Sequence, residues 1–411
     1  MLAPLADGTS HIRGLALSED VRATGAAMGA LGAPAIGSLE EGQPIEIRGP
    51  VELRSPGSVI DCGNSGTTAR LMVGLLAGSS AAATLDGDES LRRRPMDRVV
   101  QPLRRAGASV RELREPGYLP LEIEGCVLSP IRHESEAASA QVKSALLLAG
   151  LVSRVPVRVI EPGASRDHTE RMLRAMGAQI EGEPQGKGMR VSLEPLSGAL
   201  KPINMAVPGD FSSAAFWLGL AVLGGCRGEV RIEGVGLNPG RTGFLRVLDA
   251  MGASLDAMPS SDEAGEPVGD VVVRPSAMRG VEIPPEWVPA LIDEIPIIAC
   301  VASRAVGRTI IRGAQELRVK ESDRIAALHA NLVALGVSSR ERPDGLEIEG
   351  ADRAVAGVVE TRGDHRIAMA FGVLGAVPGN SIAVDDRACA RVSYPGFWEE
   401  LDRVTASGPE P

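Results

Sequence analysis

The sequence predicts an α/β protein of two domains, with apolar helices in the interior and sheets around them. Three observations lead to this fold class. A chain of 411 residues can bury more than one core. A helix-ending glycine signal recurs along it, and a second, unusually apolar helix recurs between those signals. Self-similarity at a roughly fixed period indicates repeated supersecondary units.

The recurring glycine signal is an apolar-periodic segment that ends in Gly followed by Ala or Val. A glycine in this place is typical of the position just after a helix, and the following residue can open a strand. A degenerate sixth copy, LDRVTASG, ends at Gly408. The five clear copies end at Gly32, Gly107, Gly177, Gly252 and Gly336, at intervals of 75, 70, 75 and 84 residues.

A short polar cluster opens an apolar helix upstream of five of the six glycines. β-branched stretches such as PVRVIEP and RTIIRG separate this helix from the next one and predict strands. The repeating unit is therefore helix, strand, helix, strand, with a further strand in most copies. The polar openings begin at Asn64, Ser139, Asp210, Asp293 and Asp364.

Helices that are apolar except at one end are expected to lie in the core, with their N-termini at a shared surface. The free N–H groups and partial positive charge of a helix N-terminus favour anions, so converging helix starts can bind an anion even in an acidic chain. The alternative is that the Asn, Ser and Asp residues are only helix N-caps. Five such clusters together favour a binding site.

The composition excludes several classes of partner. The chain has 43 Lys and Arg against 53 Asp and Glu, a net charge of -10, which argues against nucleic acid or a membrane surface as its partner. It has only three Trp, two Tyr and five Phe, too few for base-stacking platforms. Its longest apolar runs are shorter than the roughly 18–20 residues of a membrane span. We therefore expect no nucleic-acid partner and no membrane segment.

The cysteine and histidine residues predict neither disulfides nor a metal site. Five cysteines lie far apart, without a CxxC pair, which fits reduced thiols in a cytoplasmic protein. The five histidines lack metal-ligand spacing. We expect a cytoplasmic monomer that uses no metal and no organic cofactor.

Seven motifs in order resemble the EPSP synthase branch of the enolpyruvate transferase family, over nearly the whole chain. One of them alone would be weak evidence, but seven at family-like spacing are a strong signal. The SAQ and IDE forms are similar to a bacterial branch that includes glyphosate-tolerant members, in a family that includes the glyphosate target. The motifs are DCGNSGTTAR (61–70), RRRP (92–95), SAQ (139–141), SRDHTE (165–170), IDE (292–294), LRVKESDR (317–324) and DHR (364–366).

The resemblance implies both a fold and a reaction. The family fold has two similar domains, each of three βαβαββ repeats in an inside-out α/β barrel, and it agrees with the six repeats. It places the domains at residues 1–206 and 207–411. The family reaction moves the enolpyruvyl group of phosphoenolpyruvate to the 5-hydroxyl of 3-phosphoshikimate, a step of the shikimate pathway towards chorismate and the aromatic amino acids.

The resemblance also implies which residues bind the two substrates. Guanidinium groups can grip the carboxylate and phosphate of phosphoenolpyruvate bidentately, whereas outside these motifs the same arginines would be ordinary surface residues. For phosphoenolpyruvate the implied set is Gly66, Arg94, Gln141, Arg324 and Arg366. For 3-phosphoshikimate it is Ser139, Ala140, Gln141, Arg166, Asp293 and Lys320.

Two carboxylates are implied to move the protons. The reaction needs a base and an acid that can exchange roles. Asp293 is expected to take the hydroxyl proton, and Glu321 to shuttle the proton at C3 of phosphoenolpyruvate, with the adjacent Lys320 tuning it. Without the VKESDR context, Glu321 would be interpreted as an exposed carboxylate at a helix start.

The first repeat and the family motif are both incomplete at the start of the chain. The apolar helix opens 38 to 44 residues before its glycine in the other copies, and this distance back from Gly32 reaches beyond Met1. The family's PGDKSISHR-type segment, which supplies a Lys, a Ser and an Arg, has no match. We therefore expect turnover several orders of magnitude below that of a chain extended at its N-terminus, measured side by side.

Two alternatives remain open. UDP-N-acetylglucosamine enolpyruvyl transferase shares the fold and the donor, but its loop cysteine before an Arg-Pro pair has no counterpart in residues 86–91. A non-catalytic or degenerate binding paralogue would be stabilised by 3-phosphoshikimate without turning it over.

Overall fold

The computed structural model describes residues 1–33, 42–186, 188–226 and 228–406. Gly408, the sixth predicted glycine, lies outside them. The chain divides into two compact units, and the first contains Val207, one residue beyond the expected boundary. The first unit comprises Met1–Val207 and Glu263–Glu266, and the second comprises Pro208–Asp262 and Pro267–Pro411.

The first unit alternates helices and strands. Over the described residues its helices are α1 (Glu19–Ala30), α2 (Gly66–Ala77), the short α3 (Glu89–Arg92), α4 (Asp97–Arg105), α5 (Ala140–Ser153) and α6 (His168–Ala175), with a 3-10 turn at Ala3–Leu5. Its strands are β1 (Gly8–Arg13), β2 (Ile45–Gly49), β3 (Ile60–Asp61), β4 (Ala82–Asp86), β5 (Ser109–Glu112), β6 (Leu121–Glu124), β7 (Ile131–Glu134), β8 (Val157–Glu161), β9 (Ile180–Gln185), β10 (Gly188–Leu193) and β11 (Asn204–Ala206).

The second unit has the same alternation. Over the described residues its helices are α7 (Phe211–Val222), α8 (Gly243–Ala250), α9 (Ile295–Arg304), α10 (Arg324–Ala334), α11 (His365–Ala376) and α12 (Phe397–Ala406). Its strands are β12 (Val230–Gly236), β13 (Ser254–Glu263), β14 (Glu266–Arg274), β15 (Glu282–Ile283), β16 (Gly307–Ile311), β17 (Ser338–Arg342), β18 (Gly345–Gly350), β19 (Ala356–Val359) and β20 (Ser381–Val384). Its 3-10 turns are Pro285–Ala290, Ile292–Glu294, Gln315–Val319 and Ala388–Val392.

The sheets follow the repeats. The described strands form sheets in the orders β11-β1-β2, β3-β4-β6-β5 and β7-β8-β10-β9 in the first unit, and β12-β14-β13, β15-β16-β18-β17 and β19-β20 in the second. In each four-stranded sheet the first pair is parallel and the other two pairs are antiparallel. With the helices between them, these strands give the order βαβαββ.

The helices with polar openings form the core of each unit. Nine of the 12 residues of α2 are buried, as are ten of 14 in α5, ten of 12 in α7, nine of ten in α9 and eight of 12 in α11. The second helix of a repeat is more exposed: three of 12 residues are buried in α1 and two of eight in α6. Each fully buried aliphatic side chain contributes about 1.5–3 kcal/mol, so these apolar helices make a large contribution to both cores.

Backbone contact brings α2 and α5 close together. A Cβ atom at Gly74 would lie 2.0 Å from the carbonyl oxygen of Ala145, and one at Gly78 would lie 2.3 Å from that of Ala149. Glycines four residues apart therefore form a smooth face against which α5 packs. This packing places the first turns of the two helices side by side.

The predicted helix-ending glycines are confirmed in the described copies. Each follows the last helical residue and its cap, and each has a positive φ, between 75° and 101°. The left-handed conformation is costly for residues with a Cβ atom, which explains why glycine recurs at this point. The five are Gly32, Gly107, Gly177, Gly252 and Gly336.

Gly107→Ala is expected to lower the free energy of unfolding by about 1 kcal/mol, because the φ of 101° disfavours any Cβ atom. A Cβ atom there would meet nothing within 4 Å, so conformation alone is tested. Gly29→Ala, also free of contacts but inside α1, is the matched control and should stabilise by about 0.5–1 kcal/mol. Urea unfolding measures both; equal effects would contradict the explanation.

Two helix starts differ from their predicted positions. The helix predicted from Asn64 begins at Gly66, with Ser65 as its N-cap. The prediction that a helix starts at Asp293 is wrong: Ile292–Glu294 is a 3-10 turn and α9 begins at Ile295. Pro296, in the first turn of α9, has no N–H to donate to the carbonyl oxygen four residues earlier, so an α-helix cannot extend back through Asp293 with its usual hydrogen bonds. No described helix is long and apolar enough to span a membrane.

Candidate active site

The start of α2 carries the first motif. The N-cap Ser65 accepts a hydrogen bond from the N–H of Thr68 at 3.1 Å. Asn64, just before it, donates to Asp88 at 2.7 Å. The next residue is Gly66, whose backbone begins the helix. The first turn therefore presents N–H groups and the positive end of the helix dipole.

Arg70 joins this helix start to the start of α5. Its Nη1 donates to Oε1 of Gln141 at 3.0 Å, and its Nη2 donates to the carbonyl oxygen of Pro95 at 3.1 Å. Gln141 in turn donates from Nε2 to Thr67 at 2.9 Å. Three motifs separated in sequence, DCGNSGTTAR, RRRP and SAQ, thus meet at one place.

Two guanidinium groups crowd Gly66. A Cβ atom there would lie 2.7 Å from Nη1 of Arg70 and 2.8 Å from Nη1 of Arg94. Arg94 also donates to the carbonyl oxygen of Asn64 at 3.4 Å. Two cations beside a helix N-terminus repel one another and the dipole, so this arrangement favours an anion. We call Gly66, Arg70, Arg94 and Gln141 the α2–α5 cluster.

The start of α5 carries the SAQ motif. Ser139 is its N-cap and accepts from the N–H of Val142 at 3.5 Å, and Ala140 is the first helical residue. Arg166 is half-buried and lies in the segment just before α6. The structure thus places Gln141 in the α2–α5 cluster, with Ser139 and Ala140 immediately before it in the chain.

In the second unit, Arg324 is the centre of a buried ion-pair network. Its side chain is 1 % exposed. Its Nε donates to Asp364 at 2.8 Å and its Nη2 donates to Glu321 at 2.6 Å. Burial alone would lower the pKa of Arg324, but the carboxylates of Asp364, Glu321 and Asp293 raise it. The guanidinium is therefore charged at any physiological pH.

Asp293 and Lys320 complete this network. The Nζ of Lys320 and the Nη1 of Arg324 each lie 3.6 Å from Oδ1 of Asp293. Lys320 is therefore paired with Asp293, while Glu321 is paired with Arg324. We call Asp293, Lys320, Glu321, Arg324 and Asp364 the Arg324 cluster.

Arg366 lies next to the Arg324 cluster. Its Nη1 donates to the carbonyl oxygen of Asp293 at 3.0 Å and lies 3.9 Å from Oε1 of Glu294. Glu294, which is 3 % exposed, accepts from the hydroxyl of Ser212, and burial raises its pKa. Arg241 donates to that hydroxyl at 2.8 Å. Glu294, Ser212 and Arg241 thus form a hydrogen-bonded network that positions Arg366.

His365 makes the second unit sensitive to acid. Burial lowers its pKa from 6.5 to about 4, and the neighbouring Arg366 and Arg324 act in the same direction. Because this pKa is below the unfolded value, the unfolded chain binds the proton more tightly. The contribution to stability is complete above about pH 6.5 and is lost progressively as the pH falls to about 4.

We therefore expect the free energy of unfolding to fall by about 2 kcal/mol between pH 7.5 and pH 5 through His365 alone. Urea unfolding of the wild-type chain and of His365→Gln at both pH values measures this. The pH dependence of the variant should be smaller by that amount. His11, whose side chain is 50 % exposed, gives the control His11→Gln, which should keep the wild-type dependence.

Sequence reasoning missed several of these residues. Arg70 stood inside a recognised motif but received no role. Glu294 likewise stood inside the IDE motif without a role. Asp210 and Ser212 lay in the polar opening of an apolar helix, which was a signal, whereas Arg241 gave none. Ser212 and Glu294 are 82 residues apart, so no local pattern predicts their contact. Among the described residues, no group of three or more His, Cys, Asp or Glu side chains is arranged to hold a metal.

Comparisons with known proteins identify the family. The family model described as EPSP synthase (3-phosphoshikimate 1-carboxyvinyltransferase) matches residues 1–401. The chain belongs to the EPSP synthase family. The 3-phosphoshikimate 1-carboxyvinyltransferase of Geobacter metallireducens is 46% identical over 99% of this chain and 93% of the relative. That of Phenylobacterium zucineum is 48% identical over 98% and 88%.

Solved structures agree with this assignment. The EPSP synthase of Acinetobacter baumannii has a TM-score of 0.84 and 38% identity, covering 98% of this chain and 91% of that one. The enolpyruvyl transferase NikO of Streptomyces tendae, at 19% identity and a TM-score of 0.73, shares the fold. The resemblance to the EPSP synthase family and the predicted fold class are thereby confirmed.

Proposed function

We propose that this chain is a 3-phosphoshikimate 1-carboxyvinyltransferase, as the names of its relatives indicate. It transfers the enolpyruvyl group of phosphoenolpyruvate to the 5-hydroxyl of 3-phosphoshikimate and releases phosphate. One observation carries the proposal: residues of the IDE, LRVKESDR and DHR motifs are in direct contact in the Arg324 cluster and at Arg366.

The proposed roles in the first unit follow from its charges and hydrogen-bonding groups. Gly66, Arg94 and Gln141 bind phosphoenolpyruvate, because the α2–α5 cluster combines guanidinium groups with a helix N-terminus. The 3-phosphoshikimate ligands are Ser139, Ala140, Gln141 and Arg166. The hydroxyl of Ser139 and the amide of Gln141 suit ring hydroxyls and phosphate oxygens, and Arg166 supplies a positive charge.

The proposed roles in the second unit combine binding and proton transfer. Arg324 and Arg366 bind phosphoenolpyruvate, and Lys320 and Asp293 bind 3-phosphoshikimate. Asp293 accepts the proton of the 5-hydroxyl as the hydroxyl oxygen adds to C2 of phosphoenolpyruvate, while Glu321 in its protonated form donates a proton to C3. Glu321 removes a proton from C3 as phosphate leaves the tetrahedral intermediate. Lys320 orients the carboxylate that accepts this proton, because its Nζ lies 3.6 Å from Oδ1 of Asp293.

Release of inorganic phosphate from a mixture of the two substrates tests the proposed function. Phosphate should appear only when both are present, and UDP-N-acetylglucosamine should not replace 3-phosphoshikimate. Thermal stabilisation by 3-phosphoshikimate without phosphate release would instead favour a non-catalytic binding protein.

Gly66→Ala should raise KM for phosphoenolpyruvate by about 10- to 100-fold, because the added methyl displaces the ends of two flexible arginine side chains. The same flexibility should leave the midpoint of unfolding almost unchanged. Gly57→Ala, where a Cβ atom would meet nothing within 4 Å, is the control and should retain the wild-type KM. An unchanged KM in Gly66→Ala would remove Gly66 from the proposed site.

We further propose that the protein is a cytoplasmic monomer and a target of glyphosate. The free cysteines support a reducing compartment. Glyphosate, a small anion with carboxylate and phosphonate groups, suits the guanidinium groups of the α2–α5 cluster. Size-exclusion chromatography with light scattering tests the monomer, and inhibition in the phosphate-release assay tests the second proposal.

A further inference from the structure

Beneath the start of α5 lies a buried ionic triad to which the proposed function assigns no role. Lys143 is 2 % exposed, Glu161 is 1 % and Glu170 is 4 %. The Nζ of Lys143 lies 2.9 Å from Oε2 of Glu161 and 2.8 Å from Oε1 of Glu170. Burying three ionisable groups is costly, and replacement of such groups by apolar ones is often neutral or stabilising. The triad therefore calls for an explanation other than stability.

Glu161 connects the triad to the proposed 3-phosphoshikimate ligands. Its Oε1 accepts a hydrogen bond from the backbone N–H of Ser139 at 2.9 Å. Its Oε2 accepts from the hydroxyl of Ser165 at 2.8 Å. One carboxylate thus joins the start of α5 to the segment that carries Arg166. These two segments are otherwise separated by a helix and a strand.

Glu170 differs from Glu161 in what it contacts. Its Oε1 faces Lys143, and its Oε2 has no hydrogen-bond partner among the described residues. Burial raises the pKa of Glu170. Burial alone would lower the pKa of Lys143, but the two carboxylates outweigh it and the pKa rises. The ammonium group therefore stays charged between the two carboxylates.

We propose that Glu161 is a positioning residue for the phosphate group of 3-phosphoshikimate: it fixes the spacing between Ser139 and Ser165, and Lys143 holds it in place. This inference rests on the proposed function. The Glu161 carboxylate accepts hydrogen bonds from Ser139, Ser165 and Lys143, and these three bonds fix its orientation. The start of α5 and the segment that carries Arg166 are therefore aligned before the substrate binds. Such alignment reduces the ordering cost of binding.

Glu161→Gln tests the proposal, since glutamine keeps the shape but replaces one acceptor by an NH₂ group. The dissociation constant for 3-phosphoshikimate should rise by about 10- to 100-fold, and that for shikimate, which lacks the phosphate, by less than about threefold. Calorimetric titration measures both ligands. KM for 3-phosphoshikimate should rise in parallel, with a smaller change in kcat.

Glu170→Gln is the matched control in the same triad, because it changes a partner of Lys143 without touching Ser139 or Ser165. Both dissociation constants should stay within about threefold of the wild-type values. If Glu161→Gln and Glu170→Gln weaken both ligands equally, the triad is merely structural and the proposal is wrong.

A second variant serves if Glu161→Gln does not fold. Ser165→Ala removes a single hydrogen bond to Glu161 and should weaken 3-phosphoshikimate by about fivefold, with Ser165→Thr restoring it. If Glu161→Gln and Ser165→Ala bind 3-phosphoshikimate as tightly as the wild type does, the inference is wrong and the proposed function stands. A wild-type chain that binds no 3-phosphoshikimate at all would overturn both.

Discussion

Glu321→Gln is expected to lower kcat by about 10²- to 10⁴-fold, the usual contribution of a general acid or base. The amide cannot accept the C3 proton, yet it can still accept the hydrogen bond from Arg324, which lies 2.6 Å from Oε2 of Glu321. The KM values for both substrates should therefore change little. Steady-state measurement of phosphate release determines kcat and KM separately.

Glu349→Gln provides the control for this prediction. Glu349 lies in β18 of the same repeat, its side chain is 54 % exposed, and it is paired with Arg308. Its turnover should equal that of the wild type. If Glu321→Gln retains wild-type kcat, Glu321 does not transfer the proton. If Glu321→Gln raises KM and leaves kcat unchanged, Glu321 binds substrate but does not transfer a proton.

Arg324→Met should cause the largest loss of stability, about 3–5 kcal/mol, because it leaves buried carboxylates without their cation. Asp364 is fully buried, and its pKa, which burial alone would raise, is lowered chiefly by the charge of Arg324. Binding of phosphoenolpyruvate should be lost as well. Urea unfolding followed by circular dichroism measures the first effect.

Arg308→Met is the control for Arg324→Met, because it removes an exposed arginine in place of a buried one. Arg308 is 62 % exposed and lies 3.3 Å from Glu349, so its removal should cost no more than about 1 kcal/mol. Adding Asp364→Asn to Arg324→Met should cost less than the sum of the two single changes, because the uncompensated charge is removed. Strict additivity would mean that the pair is not coupled.

Much of the fold could be predicted because the local signals are strong. A glycine such as Gly252 marks the end of a helix through its backbone conformation alone, and an apolar run such as that of α5 has no stable place outside a core. The same reasoning failed at Asp293, where a proline two residues beyond the end of a 3-10 turn displaced the start of α9.

The motifs single out candidate site residues, but the contacts between these residues could not be predicted from the sequence. Family motifs single out residues such as Arg324, but its pairing with Asp364 spans 40 residues of sequence. The pairing of β1 with β11 spans 193 residues at His11 and Asn204. Contacts of this kind depend on how repeats pack, and a single sequence carries no local pattern for them. For the same reason the Lys143 triad was seen only in the structure.

The tight contact at Gly74 has a consequence for how sequence variation can act on this protein. Gly74 lies about two turns along α2 from Gly66, in the buried part of the helix. A methyl group at Gly74 would push α2 and α5 apart and increase the distance between their first turns. The affinity for an anion would then change, just as it would if a residue that binds the anion were replaced. Selection for catalysis therefore also constrains buried residues such as Gly74. A substitution that confers resistance to an inhibitor can arise in the hydrophobic interior as well as among the residues that bind the inhibitor.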